Sequence, residues 1–346
     1  MSYKKFAILM LCVLYACLVS LALINFVVDP YGIFQTPFFR DQPNLNERYS
    51  KIEFLRKHKE GYNSYIMGSS RANTTPDVVE KYLPGSKFYN LGTTLAVPYE
   101  HMLHLKYFIK NEYRVKNLYI GLDVDLCFTA KMHEDKDLMC RLHPGVLNQS
   151  VISYYGSYLS AFPKTDIRRK LKLNFRKKRS PIRMSEKDGT WVFEGESENA
   201  KVFFDNPANH ETTIIKNEVK EENLEVLREL VALCRQHEVN LIFFVTPHNK
   251  LFMDRFAVED YLTFLRKLSQ ITSFWNFSGY NSIIINNRNY SDPSHHKTSV
   301  SRMIAARIFN DKTLAVPDDF GVWVTKENID SHLENLRTAI KRFRTS

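Results

Sequence analysis

Apolar and polar positions change period repeatedly along this chain, and the changes mark out its elements. Short, nearly unbroken apolar runs predict buried strands over Ser64–Gly68, Lys87–Gly92, Val115–Val124 and Leu241–Pro247, with one or two more between Phe274 and Ile285. Between them the period lengthens to that of helices, over Lys51–Lys59, Pro98–Asn111, Asn223–His237 and Tyr261–Leu268. Thr75-Pro76-Asp77 reads as another helix start, with Thr75 as cap and Pro76 at the first helical position. In the second half the clearest helix puts Leu224, Leu227, Leu230, Val231 and Cys234 on one face. Strands alternating with helices predict an α/β fold, a parallel sheet with helices on both faces. Functional loops in such sheets gather at the carboxyl ends of the strands. Gly68-Ser69-Ser70, Asn90-Leu91-Gly92, Leu122-Asp123 and Pro247-His248 all fall there.

Three stretches break the alternation. Phe6 to Val28 is uncharged and largely apolar, preceded by Lys4-Lys5 and ended by Asp29-Pro30. At 1.5 Å per residue it spans on the order of 35 Å, enough to cross a bilayer. The two lysines predict a cytoplasmic N-terminus, residues 1–5, with the remainder outside. A cleaved signal peptide fits less well, because the run is long and no Ala-x-Ala-like site follows it. A lipobox at Leu14-Tyr15-Ala16-Cys17 is disfavoured by its tyrosine and by the apolar residues beyond it. Residues 29–62 read as a membrane-proximal connection to a domain over 63–316, with an insertion at about 128–220 that caps the sheet edge. The insertion carries the basic stretch Lys164–Arg183 and a strand-like Thr190–Glu194. Residues 317–346 form an extension with a strand-like Val322–Val324 and an amphipathic helix lined by Ile329, Leu333, Leu336 and Ile340.

The net charge of +10 fits nucleic acid, anionic lipid or acidic polysaccharide alike. An exported domain removes nucleic acid from that choice. The basic stretch then faces lipid headgroups or an acidic glycan, or is simply a solvated helix face. Cys127 and Cys140 can close a short loop in an oxidising compartment, although Cys234 leaves an odd count. No CxxC or His/Cys spacing points to a metal.

The candidate chemistry lies in two motifs far apart in the chain. Gly68-Ser69-Ser70-Arg71 follows an apolar run, and Asp292-Pro293-Ser294-His295 precedes the last apolar-periodic stretch. Together they supply Ser70, Asp292 and His295, the minimum equipment for acyl transfer through a serine ester. Each has a plain alternative. Ser69 and Ser70 are good capping residues, and Ser291 to Ser294 is good turn chemistry with His296 as a neighbouring rival.

Gly-x-Ser after an early strand, Asn-Leu-Gly after the next, a Gly-x-Asn-like segment after a third and a late Asp-x-x-His resemble the SGNH/GDSL hydrolases. The anchored layout is similar to membrane-tethered SGNH-like proteins of cell-envelope acylation, such as the D-alanine transfer protein and the alginate O-acetylation proteins. The resemblance covers roughly Asn63 to Ile308, the insertion excepted. It implies a flavodoxin-like three-layer fold, with Ser70 as nucleophile, His295 as base and Asp292 as its orienting partner. The N–H groups of Ser70 and Gly92 would form the oxyanion hole. The third donor, normally an asparagine, is here Asp123. A carboxylate only accepts, and a lost donor costs about 3 kcal/mol of transition-state stabilisation. Asp123 is therefore protonated, or Asn90 or another group replaces it, or the enzyme is slow or selective, or Asp123 orders the loop. Arg71 either grips a substrate anion or pairs with Asp123 or another local acid, and His248 points to the same edge or merely structures its loop.

The function expected is an inner-membrane, extracytoplasmic serine acyltransferase or esterase. It would transfer acetyl to an envelope glycan, with the acyl group supplied by a membrane O-acyltransferase partner and without a cofactor. The alternative is a catalytically weak scaffold that binds glycan or assembles an envelope complex, which the Asp123 departure favours.

Overall fold

The computed structural model describes residues 2–72, 74–128, 137–176, 182–185, 187–193, 204–206, 212–216 and 218–344. The chain divides into two compact units, Met1–Lys57 with His133–Met184, and His58–Met132 with Ser185–Ser346.

The strands in chain order are β1 (Ser64–Met67), β2 (Phe88–Asn90), β3 (Asn117–Leu122), β4 (Ile182–Met184), β5 (Trp191–Phe193), β6 (Asn240–Val245), β7 (Phe274–Asn276) and β8 (Val322–Val324). The larger unit is built on a six-stranded sheet of order β2-β1-β3-β6-β7-β8. Every pairing in it is parallel except β7 with β8. Its central strands are apolar at successive positions because both faces are covered, and β1 and β3 are buried throughout. On one face Ile66, Tyr119 and Phe244 pack with Val300 and Ile304 of the helix Thr298–Ile308. On the other, Tyr65 stacks on Phe108 of the helix Pro98–Lys110 at 4.5 Å between ring centroids. The helices Glu221–Gln236 and Val258–Ile271 form where the 3.6-residue period predicts them.

The strand order fixes where chemistry can sit. From β1 the chain crosses to β2 on one side and returns past β1 to β3 on the other. The carboxyl ends of β1 and β3 thus flank a topological switch point, where a crevice opens in doubly wound sheets.

The smaller unit holds the helix Tyr3–Val28, which is long and apolar enough to cross a membrane and whose most apolar stretch is not buried. Val28 and Asn25, near its end, are buried. The amide Nδ2 donates to the carbonyls of Leu159 and Ala161 at 2.9 and 2.7 Å, tying the end of the helix Val151–Ser160 to its last turn. Tyr31, Tyr49, Tyr154 and Tyr158 form the core of this unit.

Several expectations shift here. The stretch read as one insertion divides, because residues up to Met184 pack with the N-terminal segment while Ser185 onward belongs to the sheet unit. Thr190–Glu194 gives the strand β5 over Trp191–Phe193, and residue 194 lies outside the described residues. Of the one or two strands sought between Phe274 and Ile285, β7 alone forms. Thr75 precedes the helix Pro76–Glu80 without capping it through its side chain. Cys127 and Cys140 both carry free thiols. Cys234 is buried on its helix, as its apolar position requires, and burial pushes its thiol up to about 12.

Candidate active site

Register brings three strand exits level with one another. Met67 pairs with Ile120 and Leu122 with Val245, so the residues just beyond β1, β3 and β6 come out side by side. Gly68 makes the turn possible. Its φ is +144°, a region closed to most side chains, and a Cβ there would lie 2.4 Å from the Ala72 Cβ. The chain then tightens into a single 3-10 turn over Ser70–Ala72 that presents Ser70 at the edge.

Ser70 Oγ lies 2.8 Å from His295 Nε2. The other ring nitrogen, Nδ1, is 2.8 Å from Asp292 Oδ2. A carboxylate can only accept, so Nδ1 carries the proton and Nε2 is left to accept from the serine hydroxyl. The turn chemistry weighed against this motif is present and builds the site. Asp292 Oδ1 accepts from the Ser294 N–H at 2.8 Å and the His295 N–H at 3.0 Å, wrapping the loop around the carboxylate. Burial pushes the Asp292 carboxyl up, but the His295 ring and the Ser294 donors outweigh it and hold it down at about 2. The side chains of His295 and Asp292 are 39% and 37% exposed, so the dyad is open to solvent. The rival His296 turns inward, with Nε2 3.1 Å from Ser301 Oγ, and burial lowers it to about 3.

Asp123 is not positioned as a donor. It is buried, and its two carboxylate oxygens accept from the hydroxyls of Ser69 and Thr246, bracing the exits of β1, β3 and β6 together. Burial raises its carboxyl, and the nearby Arg71 charge works against that rise. Ser69 Oγ also accepts the Arg71 N–H at 3.1 Å, so this brace reaches the residue after Ser70. Of the readings open for Asp123, ordering the loop is the one its contacts match.

The Gly92 N–H does not stand free either, since it donates to Asn90 Oδ1 at 2.8 Å. Asn90 spends its own amide on the Thr74 carbonyl at 3.0 Å. Ser70 opens the 3-10 turn, so its N–H has no partner within that turn.

Arg71 pairs with a local acid, but with Asp125 (2.5 Å) rather than Asp123, and its guanidinium lies 4.8 Å from the centre of the Phe252 ring. His248 is fully buried, and the Ser294 backbone is a polar neighbour of its ring. Burial first, then the charge of Arg71, hold it well below the ordinary histidine range, with the Ser294 backbone working the other way. The ring packs edge-on to Phe252 at 4.9 Å. It is a neutral wall beside the site.

Sequence reasoning did not single out Thr246, Asp125 or Asn249. The last pins the histidine loop to the β6 exit, its N–H donating to the Pro293 carbonyl at 3.0 Å. Their positions at strand exits were the available signal, but polar residues are ordinary in such loops. No protein-family model matches this chain, and neither does any curated protein.

Proposed function

We propose that this chain is a membrane-anchored serine acyltransferase or esterase of the SGNH type, held by Tyr3–Val28 with its site outside the cytoplasm. The observation that carries the reading is the continuous line Ser70 Oγ, His295 Nε2, His295 Nδ1, Asp292 Oδ2, with 2.8 Å at each hydrogen bond. The strand order, with Ser70 at the switch point, supports the flavodoxin-like version of the fold.

In this reading Ser70 Oγ attacks the carbonyl carbon of an acyl donor while His295 Nε2 takes the hydroxyl proton. Asp292 holds the ring and balances the imidazolium. The Ser70 N–H meets the oxyanion, and the Gly92 N–H joins it when released from Asn90 Oδ1. Collapse breaks the bond to the leaving group, which takes the proton from His295, and leaves an acyl ester on Ser70. A glycan hydroxyl, or water, then gives its proton to His295 and attacks that ester, and His295 returns the proton to Ser70 Oγ as the acyl bond to it breaks. Acetyl is the acyl group and a membrane O-acyltransferase its source, both by resemblance alone.

A second reading has support from Asn90. With the Gly92 N–H occupied and position 123 unable to donate, the oxyanion hole is one N–H deep in this conformation. A scaffold with weak chemistry would look the same. Labelling with a serine-directed fluorophosphonate separates the two. The wild-type chain labels and Ser70→Ala does not. An unlabelled wild type, or equal labelling of Ser70→Ala, overturns the acyl-serine mechanism.

A further inference from the structure

The helix Lys164–Phe175 has two opposed polar stripes. Asp166, Lys170 and Asn174 recur every fourth residue and form the inner one. Asp166 accepts from the Tyr31 hydroxyl and the Asn44 amide, both at 2.7 Å. Lys170 Nζ donates to the Asp29 carbonyl at 2.6 Å, and Asn174 exchanges hydrogen bonds with the Asp41 backbone. The helix is thereby fastened along residues 29–44, the chain's first residues beyond the apolar helix Tyr3–Val28. Lys170 is buried in this contact, and burial lowers it to about 8 in spite of the Asp29 charge.

The outer stripe is Lys164, Arg168, Lys172 and Arg176, also four residues apart and about 200° round the helix from the inner one. All four are exposed, and among the described residues none forms an ion pair or side-chain hydrogen bond. Large aromatics flank the stripe. Phe162 is 74% exposed immediately before the helix, and Phe175 is 75% exposed at its end, with one edge against Phe39. Folding alone does not explain two exposed phenylalanines beside four uncompensated cations. Asn25 holds Ala161, the residue before Phe162, about 5 Å along the apolar helix from its end.

We propose that this face is a second membrane contact, an interfacial site for anionic phospholipid headgroups in the leaflet where Tyr3–Val28 ends. The proposal rests on the anchor reading above. The cations meet lipid phosphates while Phe162 and its neighbours enter the headgroup boundary, the arrangement of an interfacial basic helix. The contact fixes how the unit stands on the bilayer, which a single spanning helix with free rotation about its axis does not.

The test uses the full chain in nanodiscs of phosphatidylcholine with or without phosphatidylglycerol, the lipids carrying brominated acyl chains. Phe162→Trp adds a probe read against the parent chain. Its emission is expected to be quenched, and more strongly with phosphatidylglycerol. Combining it with Lys164→Gln, Arg168→Gln, Lys172→Gln and Arg176→Gln is expected to cut the preference for phosphatidylglycerol by roughly several hundredfold, since each of the four surface charges is worth roughly a factor of 5. These four side chains make none of the inner contacts, and circular dichroism verifies that the helix remains. A probe left unquenched, or a charge-depleted variant quenched like its parent, overturns the proposal. So does a probe that answers to a soluble polyuronate and not to phosphatidylglycerol, which assigns the face to acidic glycan. A chain that does not incorporate into discs at all fails the anchor reading instead.

Discussion

Asp123 makes the sharpest test of how this site is built. In Asp123→Ala the hydroxyls of Ser69 and Thr246 lose their common acceptor inside a buried site. Thr246 Oγ1 has a weak alternative in the Leu122 carbonyl at 3.4 Å, whereas among the described residues the Ser69 hydroxyl donates to Asp123 alone. An unsatisfied buried hydroxyl costs about 1–3 kcal/mol, so one full loss and one partial loss come to about 3 kcal/mol. For a domain of this size that is a fall in Tm of about 6–12 °C. Asp123→Asn keeps one carbonyl acceptor, and its NH2 group finds a hydroxyl oxygen once that hydroxyl rotates. It also removes the burial cost of a carboxyl whose pKa is raised, while Arg71 keeps Asp125 as its partner. Its expected cost is below about 1 kcal/mol. Urea unfolding of the full chain in detergent, followed by tryptophan fluorescence and extrapolated linearly, measures both.

The same two variants separate bracing from chemistry. Ser69 Oγ holds the Arg71 N–H, so the alanine variant loosens the nucleophile turn and slows fluorophosphonate labelling of Ser70. The asparagine variant labels within about threefold of wild type, because position 123 faces Ser69 and Thr246 and not the oxyanion. An asparagine variant as unstable as the alanine one refutes the brace. One that labels about a hundredfold faster shows that the side chain at 123 does reach the oxyanion, and overturns the assignment.

Asp292→Asn leaves the loop an acceptor but no longer fixes the proton on His295 Nδ1; acyl transfer measured by ester release is expected to fall about 10³–10⁴-fold, with labelling slowed in parallel. The folded Asp292 carboxyl is held at about 2 against its ordinary 3.8, so its contribution is complete above pH 4 and is lost as pH falls through 2. Discounted for solvent screening at 37% exposure, that shift is worth about 1 kcal/mol. Acid titration of stability should lose that increment in His295→Ala. Gly68→Ala puts a Cβ 2.4 Å from Ala72 and 2.9 Å from the Gly121 carbonyl oxygen, and is expected to cost about 3 kcal/mol or more and to abolish labelling. Gly61→Ala, where a Cβ meets nothing within 4 Å, is the control expected to change neither stability nor labelling.

What the chain made legible follows from the range of the interactions involved. Strands β1, β3 and β6 are short apolar runs because both their faces are buried, so their positions were readable without a partner in view. The spacing Asp292-x-x-His295 was readable because an Asx turn is a local device, complete within four residues. The division of the insertion was not readable, because it depends on Asn25 reaching Ala161 and on Lys170 reaching Asp29. Each links residues more than 100 apart in sequence, and neither leaves a periodic trace. The hydrogen-bond partners around Gly92 and Asp123 were not legible for a related reason. Motif position put Gly92 and Asp123 at the right edge of the sheet, but an N–H or a carboxylate is defined by where its partner lies. Asn90 is two residues from Gly92 and its acceptor oxygen is close enough to compete with any oxyanion. A negatively charged oxygen is the stronger acceptor, so the Gly92 N–H can exchange Asn90 Oδ1 for it only as charge develops on the substrate. That exchange would favour the transition state over the ground state, which is the one way this site can be both poorly equipped at rest and competent in reaction.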